Sequence, residues 1–162
     1  MKIPETVVAP LLIATEEVFG KLGLPVTRQV PFESAAPIPA NVVATIAFAG
    51  HRRGLVVFYS STAAAKEIVS AMLGIPPDAV NGEVPDAIGE IANIVAGTFR
   101  NRLTAMEPAS AIATPTVTVG SDFLTMYVSA VRRVRCLYKM GDHDIMVELI
   151  LTGEDPPDTS AA

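Results

Sequence analysis

The stretch PDAIGEIANIVAGTFRNRL, residues 85–103, has apolar residues at the spacing of one helix face. Residues three, four and seven positions apart lie on the same side of an α-helix, and five large apolar side chains follow that spacing. They are Ile88, Ile91, Val95, Phe99 and Leu103. We therefore predict a helix whose apolar side packs on a hydrophobic core.

The other side of this predicted helix has Asp86, Glu90 and Asn93. Offsets of four and three residues place the three side chains within roughly 60° of one another. An ordinary solvated face is one interpretation, because acidic residues stabilise the start of a helix and Pro85 suits its first turn. Composition alone favours that interpretation over a working surface.

Two glycines, Gly89 and Gly97, fall on the same side of the helix as Glu90 and Asn93. Each glycine costs up to ~1 kcal/mol relative to alanine in a helix interior, so its presence needs a reason. A face of small residues would allow the backbone of another protein to approach closely. We therefore predict that Asp86, Gly89 and Gly97 belong to a partner-docking surface.

Length and composition predict one compact domain, since the chain has 162 residues, of which 50% are hydrophobic and 18% charged. We place this domain at residues 1–152. The similarity between HRRGLVVFYSS and GDHDIMVELILT suggests two half-repeats, at about 1–74 and 80–152. The polar, proline-containing residues 153–162 are predicted to form a flexible tail.

Further helices are predicted at about residues 5–21 and 62–73. Two β-rich runs, 41–50 and 54–61, are joined across HRR and bounded by glycines, which is typical of a hairpin. A second hairpin is predicted across GDHD, a short strand at PTVTVG, and an edge strand at about 26–32.

The charge pattern argues against nucleic-acid binding, because the net charge is −5 and no Lys/Arg cluster is longer than a pair. No apolar run approaches the ~20 residues that span a bilayer, so we expect no membrane insertion. The N-terminus MKIPETVV lacks the basic-then-apolar layout of a signal peptide, and we expect a cytoplasmic protein.

Motifs of metal and covalent catalysis are missing from the sequence. His51 and His143 lie in predicted turns without a second ligand at a metal-binding spacing, so we expect no metal site. The single Cys136 excludes an intrachain disulfide and is predicted to be buried. There is no G-x-S-x-G motif and no phosphate-binding P-loop.

The pattern Asp86-x3-Glu90-x2-Asn93, followed after 21 residues by Pro115 in TPTVTVG, resembles the CheC/CheX/FliY phosphatases of bacterial chemotaxis. Within that family DAIGEIANIVAG is most similar to CheX, because one copy of the motif is present in a chain of CheX length. The resemblance implies an α/β fold of the α+β type. It would be a three-layer α-β-α sandwich of the CheC-like fold, with a long, mixed, largely antiparallel sheet and an internal helix-strand repeat.

The first predicted helix has Glu16 and Glu17 but no Glu followed three residues later by Asn. By resemblance it is the non-catalytic counterpart of the central helix. The resemblance also implies a homodimer, in which the strands 41–50 and 145–152 could cover a sheet edge by pairing between subunits.

The resemblance implies a phosphatase that hydrolyses the aspartyl phosphate of a CheY-type response regulator. Asn93 would orient the attacking water, because a carboxamide can both donate to and accept from it. Glu90 would pair with the regulator's active-site lysine, and Pro115 would shape a strand start beside the helix. The protein would have no cofactor of its own, since Mg²⁺ would arrive on the phosphorylated partner.

Two other interpretations stay open at this point. One is a non-catalytic adaptor that binds a receiver domain through the same helix face. The other is a structural module whose polar helix face is only solvated.

Overall fold

The computed structural model describes residues 2–127 and 131–157. The elements are α1 (Glu5–Lys21), β1 (Thr27–Arg28), β2 (Ile38–Ala49), β3 (Arg53–Ser60), α2 (Thr62–Leu73), a 3₁₀ turn (Pro77–Ala79), α3 (Val84–Thr104), β4 (Ala111–Ile112), β5 (Thr116–Thr125), β6 (Arg132–Met140) and β7 (His143–Thr152). The three predicted helices and both predicted hairpins are confirmed. The strand predicted at PTVTVG is longer than expected, because β5 continues to Thr125.

Seven strands form one sheet in the order β1-β6-β7-β3-β2, with β4 and β5 both on the outer side of β2. Strand β5 pairs with the first part of β2, and β4 pairs with its last two residues. All of these described pairs are antiparallel, so the parallel component of the expected mixed sheet is not found in the described chain. The α+β class with a long antiparallel sheet is confirmed.

The topology repeats itself across the middle of the sheet. The β2–β3 and β6–β7 hairpins meet where β3 pairs with β7, for example at Phe58 opposite Val147. The short strand after α1 pairs with β6, and the strands after α3 pair with β2, so each half supplies the outer strand of the other. This is the internal helix-strand repeat; its boundaries near residues 74 and 80 stay a prediction.

All three helices pack on one face of the sheet. Residues from α1, α2 and α3 share one hydrophobic core with alternate residues of the strands. Phe19 of α1 stacks on Phe58 with ring centroids 6.0 Å apart, and Phe99 of α3 meets Phe48 edge to face at 5.7 Å. These two ring pairs join α1 and α3 to the sheet.

The second face of the sheet has a smaller core, and no described helix lies on it. Val57, Tyr59 and Ile150 are buried there against partly buried side chains, among them Phe123 of β5 and Tyr127. The expected three-layer sandwich is therefore two-layered in the described chain. Tyr127 and Val131, which follow β5 and precede β6, pack against the buried residues of this face.

The strands proposed to pair between subunits are interior strands. Strand β2 is hydrogen-bonded to β3 on one side and to β4 and β5 on the other. Strand β7 lies between β3 and β6. The expected pairing was wrong, because neither β2 nor β7 has a free edge among the described residues. Strand β5 does have one, since in the described chain it pairs with β2 alone.

The segment after β7 is partly held by ion pairs. The Asp155 carboxylate accepts hydrogen bonds from Arg52 and, at 2.7 Å, from Arg132. The bond from Arg132 is the main cause that lowers the pKa of Asp155. Residues 153–157 are thus anchored, and the rest of the predicted flexible tail, 158–162, lies outside the described residues.

None of the helices in the described part of the chain has the length and apolar character that a membrane span requires.

Candidate active site

Helix α3 begins after a local turn, and Pro85 and Asp86 of its first turn are exposed to solvent. The Glu83 carboxylate accepts a hydrogen bond from the Asn81 backbone N–H at 2.7 Å, and Pro85 follows in the first turn of the helix. The apolar side of α3 is buried as predicted. All five predicted core residues are at most 4% exposed: Ile88, Ile91, Val95, Phe99 and Leu103.

An open depression of about 410 Å³ lies between the polar side of α3 and the chain that leads into β5. Its lining residues are Pro85, Asp86, Gly89, Glu90, Asn93, Thr114, Pro115 and Val117. The structure therefore brings together five of the six residues that the sequence singled out. Gly97 is the exception, because it lies about one turn beyond Asn93 on α3, outside this depression.

The functional groups of the depression are accessible. Asp86 and Glu90 are exposed, and Asn93 is half-buried. No hydrogen bond or ion pair joins the side chain of Glu90 or Asn93 to another residue of the described chain. Both groups are therefore available to a partner or to a water molecule.

Gly89 lies against the chain's own β5 and the residues that precede it. It is buried, and a Cβ atom built on it would lie 3.3 Å from Val117 Cγ2 and 3.8 Å from Pro115 Cγ. A Cβ on Gly97 would likewise face the chain's own Ile112, at 4.0 Å. The lack of a side chain at Gly89 lets the start of β5 lie close to α3, whereas the 4.0 Å distance at Gly97 leaves room for a methyl group. The partner-docking role of both glycines stays a prediction.

The charge of the depression is one-sided. Its two ionisable residues, Asp86 and Glu90, are both acidic, and no cationic residue lines it among the residues described. Such a surface repels a free phosphate group, because a phosphoryl dianion needs cationic or N–H partners. A phosphorylated ligand can approach only if it brings its own neutralising charge.

The sequence did not predict that Thr114 and Val117 line the depression, nor that Pro85 does so in addition to starting the helix. Val117 could have been found, because a strand that starts at Pro115 places every second residue on the same face. The packing of that strand face against α3 is a tertiary contact, and no local sequence pattern predicts it.

Alternative chemistry has little support in the described residues. No group of three His, Cys, Asp or Glu residues is arranged to hold a metal ion in the described chain. Cys136 is buried, as predicted, and burial is the main cause that raises the pKa of its thiol. A buried thiol with a raised pKa is a poor nucleophile.

The sequence matches the family model described as chemotaxis phosphatase CheX over residues 42–139, which is more than half of the chain. The chain belongs to the CheX family. That match includes α3, the depression and the whole of β5. A comparison with curated protein sequences gives no significant match.

Solved structures with CheX and CheC-like names share the fold. A CheX from Desulfovibrio desulfuricans superposes with a TM-score of 0.82 at 24% identity, covering 90% of this chain and 99% of that one. A CheC-like superfamily protein from Shewanella sp. PV-4 gives 0.85 at 21%, with 93% and 100% covered. The CheX of a CheX-CheY-BeF₃-Mg²⁺ complex from Borrelia burgdorferi gives 0.78 at 19%, with 90% and 97% covered. These likenesses confirm the CheC-like fold.

In this CheX-family chain, Glu16 and Glu17 of α1 are held in ion pairs, unlike Glu90 of α3. Arg28 holds Glu16 with two hydrogen bonds, at 2.6 and 3.0 Å. Glu17 is paired with Lys21 at 3.3 Å and with Arg102. Both carboxylates are therefore engaged within the chain, and the non-catalytic role of the first helix stays a prediction.

Proposed function

We propose that this CheX-family protein hydrolyses the aspartyl phosphate of a CheY-type response regulator, with Glu90 and Asn93 as the residues that act on the partner. The observation that carries the proposal is the pairing of an exposed Glu90 with a half-buried Asn93 in one acidic depression, both without a partner in the described chain. Such groups are free to engage a second protein.

The acidic lining supports a protein substrate over a small phosphate ester. A phosphorylated receiver domain brings Mg²⁺ and a lysine to its own phosphoryl group, so the positive charge that the depression lacks arrives with the substrate. The resident contribution is then limited to alignment and to one charged contact. This is consistent with a site built from one carboxylate and one carboxamide.

Asn93 is proposed to orient the attacking water. Its carboxamide can accept one hydrogen bond from the water and donate another to it or to a phosphoryl oxygen, without changing its own protonation. The water oxygen forms the new bond to phosphorus, and the bond between phosphorus and the aspartyl oxygen breaks. The electron pair leaves with the regulator's carboxylate, and the protons of the water leave with inorganic phosphate and solvent.

Glu90 is proposed to pair with the regulator's active-site lysine. It precedes Asn93 by three residues on one helix, so the two side chains are neighbours at roughly 5–6 Å between Cβ atoms. A contact between Glu90 and the lysine would therefore set the position of Asn93 relative to the phosphoryl group. Asp86, one turn before Glu90, adds a second negative charge to the docking face, and Pro115 forms the opposite wall.

The test is the decay of a radiolabelled acyl phosphate on purified CheY-type receivers. The variants are Asn93→Ala, Glu90→Ala and a matched control, Asn101→Ala, which removes an exposed asparagine of the same helix outside the depression. We expect Asn93→Ala to lower kcat about 100-fold, or about 2.7 kcal/mol, as for other single groups that act on a transition state. The control should keep the wild-type rate.

The outcomes separate a phosphatase from an adaptor. If wild-type protein leaves the decay on every receiver unchanged, the phosphatase proposal fails. If it nevertheless binds a receiver through the Glu90 face, the protein is an adaptor. If Asn93→Ala and Asn101→Ala lower kcat equally, the role given to Asn93 is wrong.

We also propose that the protein is a homodimer that pairs through β5. Support comes from the unpaired outer edge of β5 in the described chain and from its exposed apolar residues Val119 and Leu124, 49% and 66% exposed. Unpaired edges of this kind favour pairing with another strand. Sedimentation velocity should give twice the chain mass of 17.0 kDa, and a monomer at every concentration would refute it. The cytoplasmic location stays a prediction.

A further inference from the structure

A second groove lies on the other flank of α3, between α3 and the end of α2. Its volume is about 330 Å³. Three apolar and three acidic residues line it: Met72, Leu73, Ala87, Glu83, Asp86 and Glu90. Asp86 and Glu90 therefore belong to both depressions and form the ridge that separates them.

Leu73 presents an exposed apolar side chain to this groove. It is the last residue of α2 and is 50% exposed. Gly74 follows in the left-handed conformation, with φ 69°, and its N–H bonds to the Ser70 carbonyl. The Ser70 hydroxyl in turn donates to the carbonyl of Ile75 at 2.5 Å. The end of α2 is thus held in place, and Leu73 stays at the surface although the helix itself is anchored in the core.

We propose that this groove is a docking pocket for an apolar side chain of the receiver domain, seated while Glu90 engages the receiver's lysine. The inference rests on the proposed function and adds Met72 and Leu73 as residues that determine affinity for the partner. It commits to a receiver domain because the groove is continuous, through Asp86 and Glu90, with the depression that would meet the phosphoryl group.

Charge complementarity supports the same occupant. The groove has three carboxylates and no cationic residue among the residues described. A surface that has a lysine beside an apolar side chain would match it, since the ammonium would meet the ridge and the apolar group the floor. Ala87 is three residues before Glu90, so the two contacts would be about 5–6 Å apart on α3.

An apolar contact also answers a problem of affinity. Glu90 is exposed, and exposed ion pairs contribute little to association. Protein interfaces gain most of their affinity from a few buried apolar or aromatic groups surrounded by polar ones. Met72 suits such a pocket because its flexible thioether adapts to the shape of an incoming side chain.

The test compares Leu73→Gln with the conservative Leu73→Met and with Met106→Gln. Glutamine keeps helix propensity and removes the apolar surface. Met106 is 58% exposed and lies beyond the end of α3, away from both depressions, so its replacement is a control for loss of an exposed apolar side chain. The substrate is a CheY-type receiver labelled at its aspartate, over a range of receiver concentrations.

We expect Leu73→Gln to raise KM about tenfold, which corresponds to about 1.4 kcal/mol, with kcat unchanged. Leu73→Met and Met106→Gln should both behave like wild type. A parallel binding titration with receiver and BeF₃⁻/Mg²⁺ should give a Kd that is tenfold higher for Leu73→Gln alone.

The results distinguish failure of this inference from failure of the proposed function. If wild type accelerates the decay and Leu73→Gln has an unchanged KM, the docking pocket is refuted and the phosphatase stands. If wild type is inactive but binds the BeF₃⁻ form, and Leu73→Gln weakens that binding tenfold, the pocket stands and the phosphatase fails. Absence of both activity and binding overturns both.

Discussion

Replacement of the buried Glu148 by glutamine tests how the helix-free face of the sheet is held together. Glu148 has no exposed surface, and its carboxylate accepts hydrogen bonds from Tyr59 Oη at 2.6 Å and from Arg135 Nε at 3.0 Å. Arg133 Nη1 lies 3.9 Å away, close enough for an ion pair but without a hydrogen bond. The pKa of Tyr59 is raised, first by burial and then by its bond to this carboxylate.

The expected cost follows from the burial of the arginines. The side chains of Arg135 and Arg133 are 4% and 8% exposed, so loss of the Glu148 charge leaves two buried cations without a counter-ion. Removal of one partner of a buried pair costs about 3–5 kcal/mol. Glutamine keeps the volume and can still accept from Tyr59, so we expect the lower end, about 3 kcal/mol.

Urea unfolding followed by circular dichroism at neutral pH is the assay. With a slope of about 2 kcal/mol/M, the midpoint for Glu148→Gln should fall by about 1.5 M. Exposed Glu33→Gln is the control and should stay within about 0.5 kcal/mol of wild type.

A paired replacement, Glu148→Met with Arg135→Met, separates the effect of unpaired charge from that of packing. We expect it to recover part of the lost stability, because apolar groups of similar volume can replace a buried ion pair. A loss below about 1 kcal/mol for Glu148→Gln, or a double variant less stable than that single one, would refute the reasoning.

Further outcomes follow from the space around two helical glycines and from the burial of the cysteine. Gly20→Ala should raise the free energy of unfolding by about 0.5–1 kcal/mol, because nothing lies within 4 Å of the added methyl group. Gly89→Ala should gain less in the same urea assay, since its methyl group meets Val117 Cγ2 at 3.3 Å; an equal gain would contradict this close approach. Cys136 should react with a thiol reagent at pH 8 at least 100-fold more slowly in the folded than in the urea-unfolded protein, because burial suppresses its thiolate. Because folding raises the pKa of this thiol, Cys136 lowers the free energy of unfolding as pH rises above about 8.5. A free energy of unfolding that instead rises in this pH range, in wild type but not in Cys136→Ala, would contradict this expectation.

Local order was accessible from the sequence. Helices α1 and α2 have the predicted bounds, because proline, glycine and the apolar spacing mark their ends without reference to the rest of the chain. The two faces of α3 could be assigned in the same way, since the helical repeat alone separates Ile88 and Ile91 from Glu90 and Asn93. The motif on that helix also predicted the family.

The arrangement of strands could not be obtained in this manner. The run 41–50 reads as a strand, but its apolar pattern does not say whether both of its edges are paired, and β2 proved to be interior. The same holds for β7. Hydrogen bonding across a sheet joins residues far apart in sequence, so edge and interior strands differ in their neighbours more than in their own residues.

The sequence by itself determined the helices, the hairpins, the polar face of α3 and the pair Glu90 and Asn93, because each depends on a local repeat of a few residues. Tertiary structure alone decided that Gly89 is buried beneath Val117 and that Leu73 lies beside the same ridge as Glu90. These relations join α3 to β5 and to α2. They depend on how separate elements pack around one core, and the residues of no single segment determine which other segment packs against it.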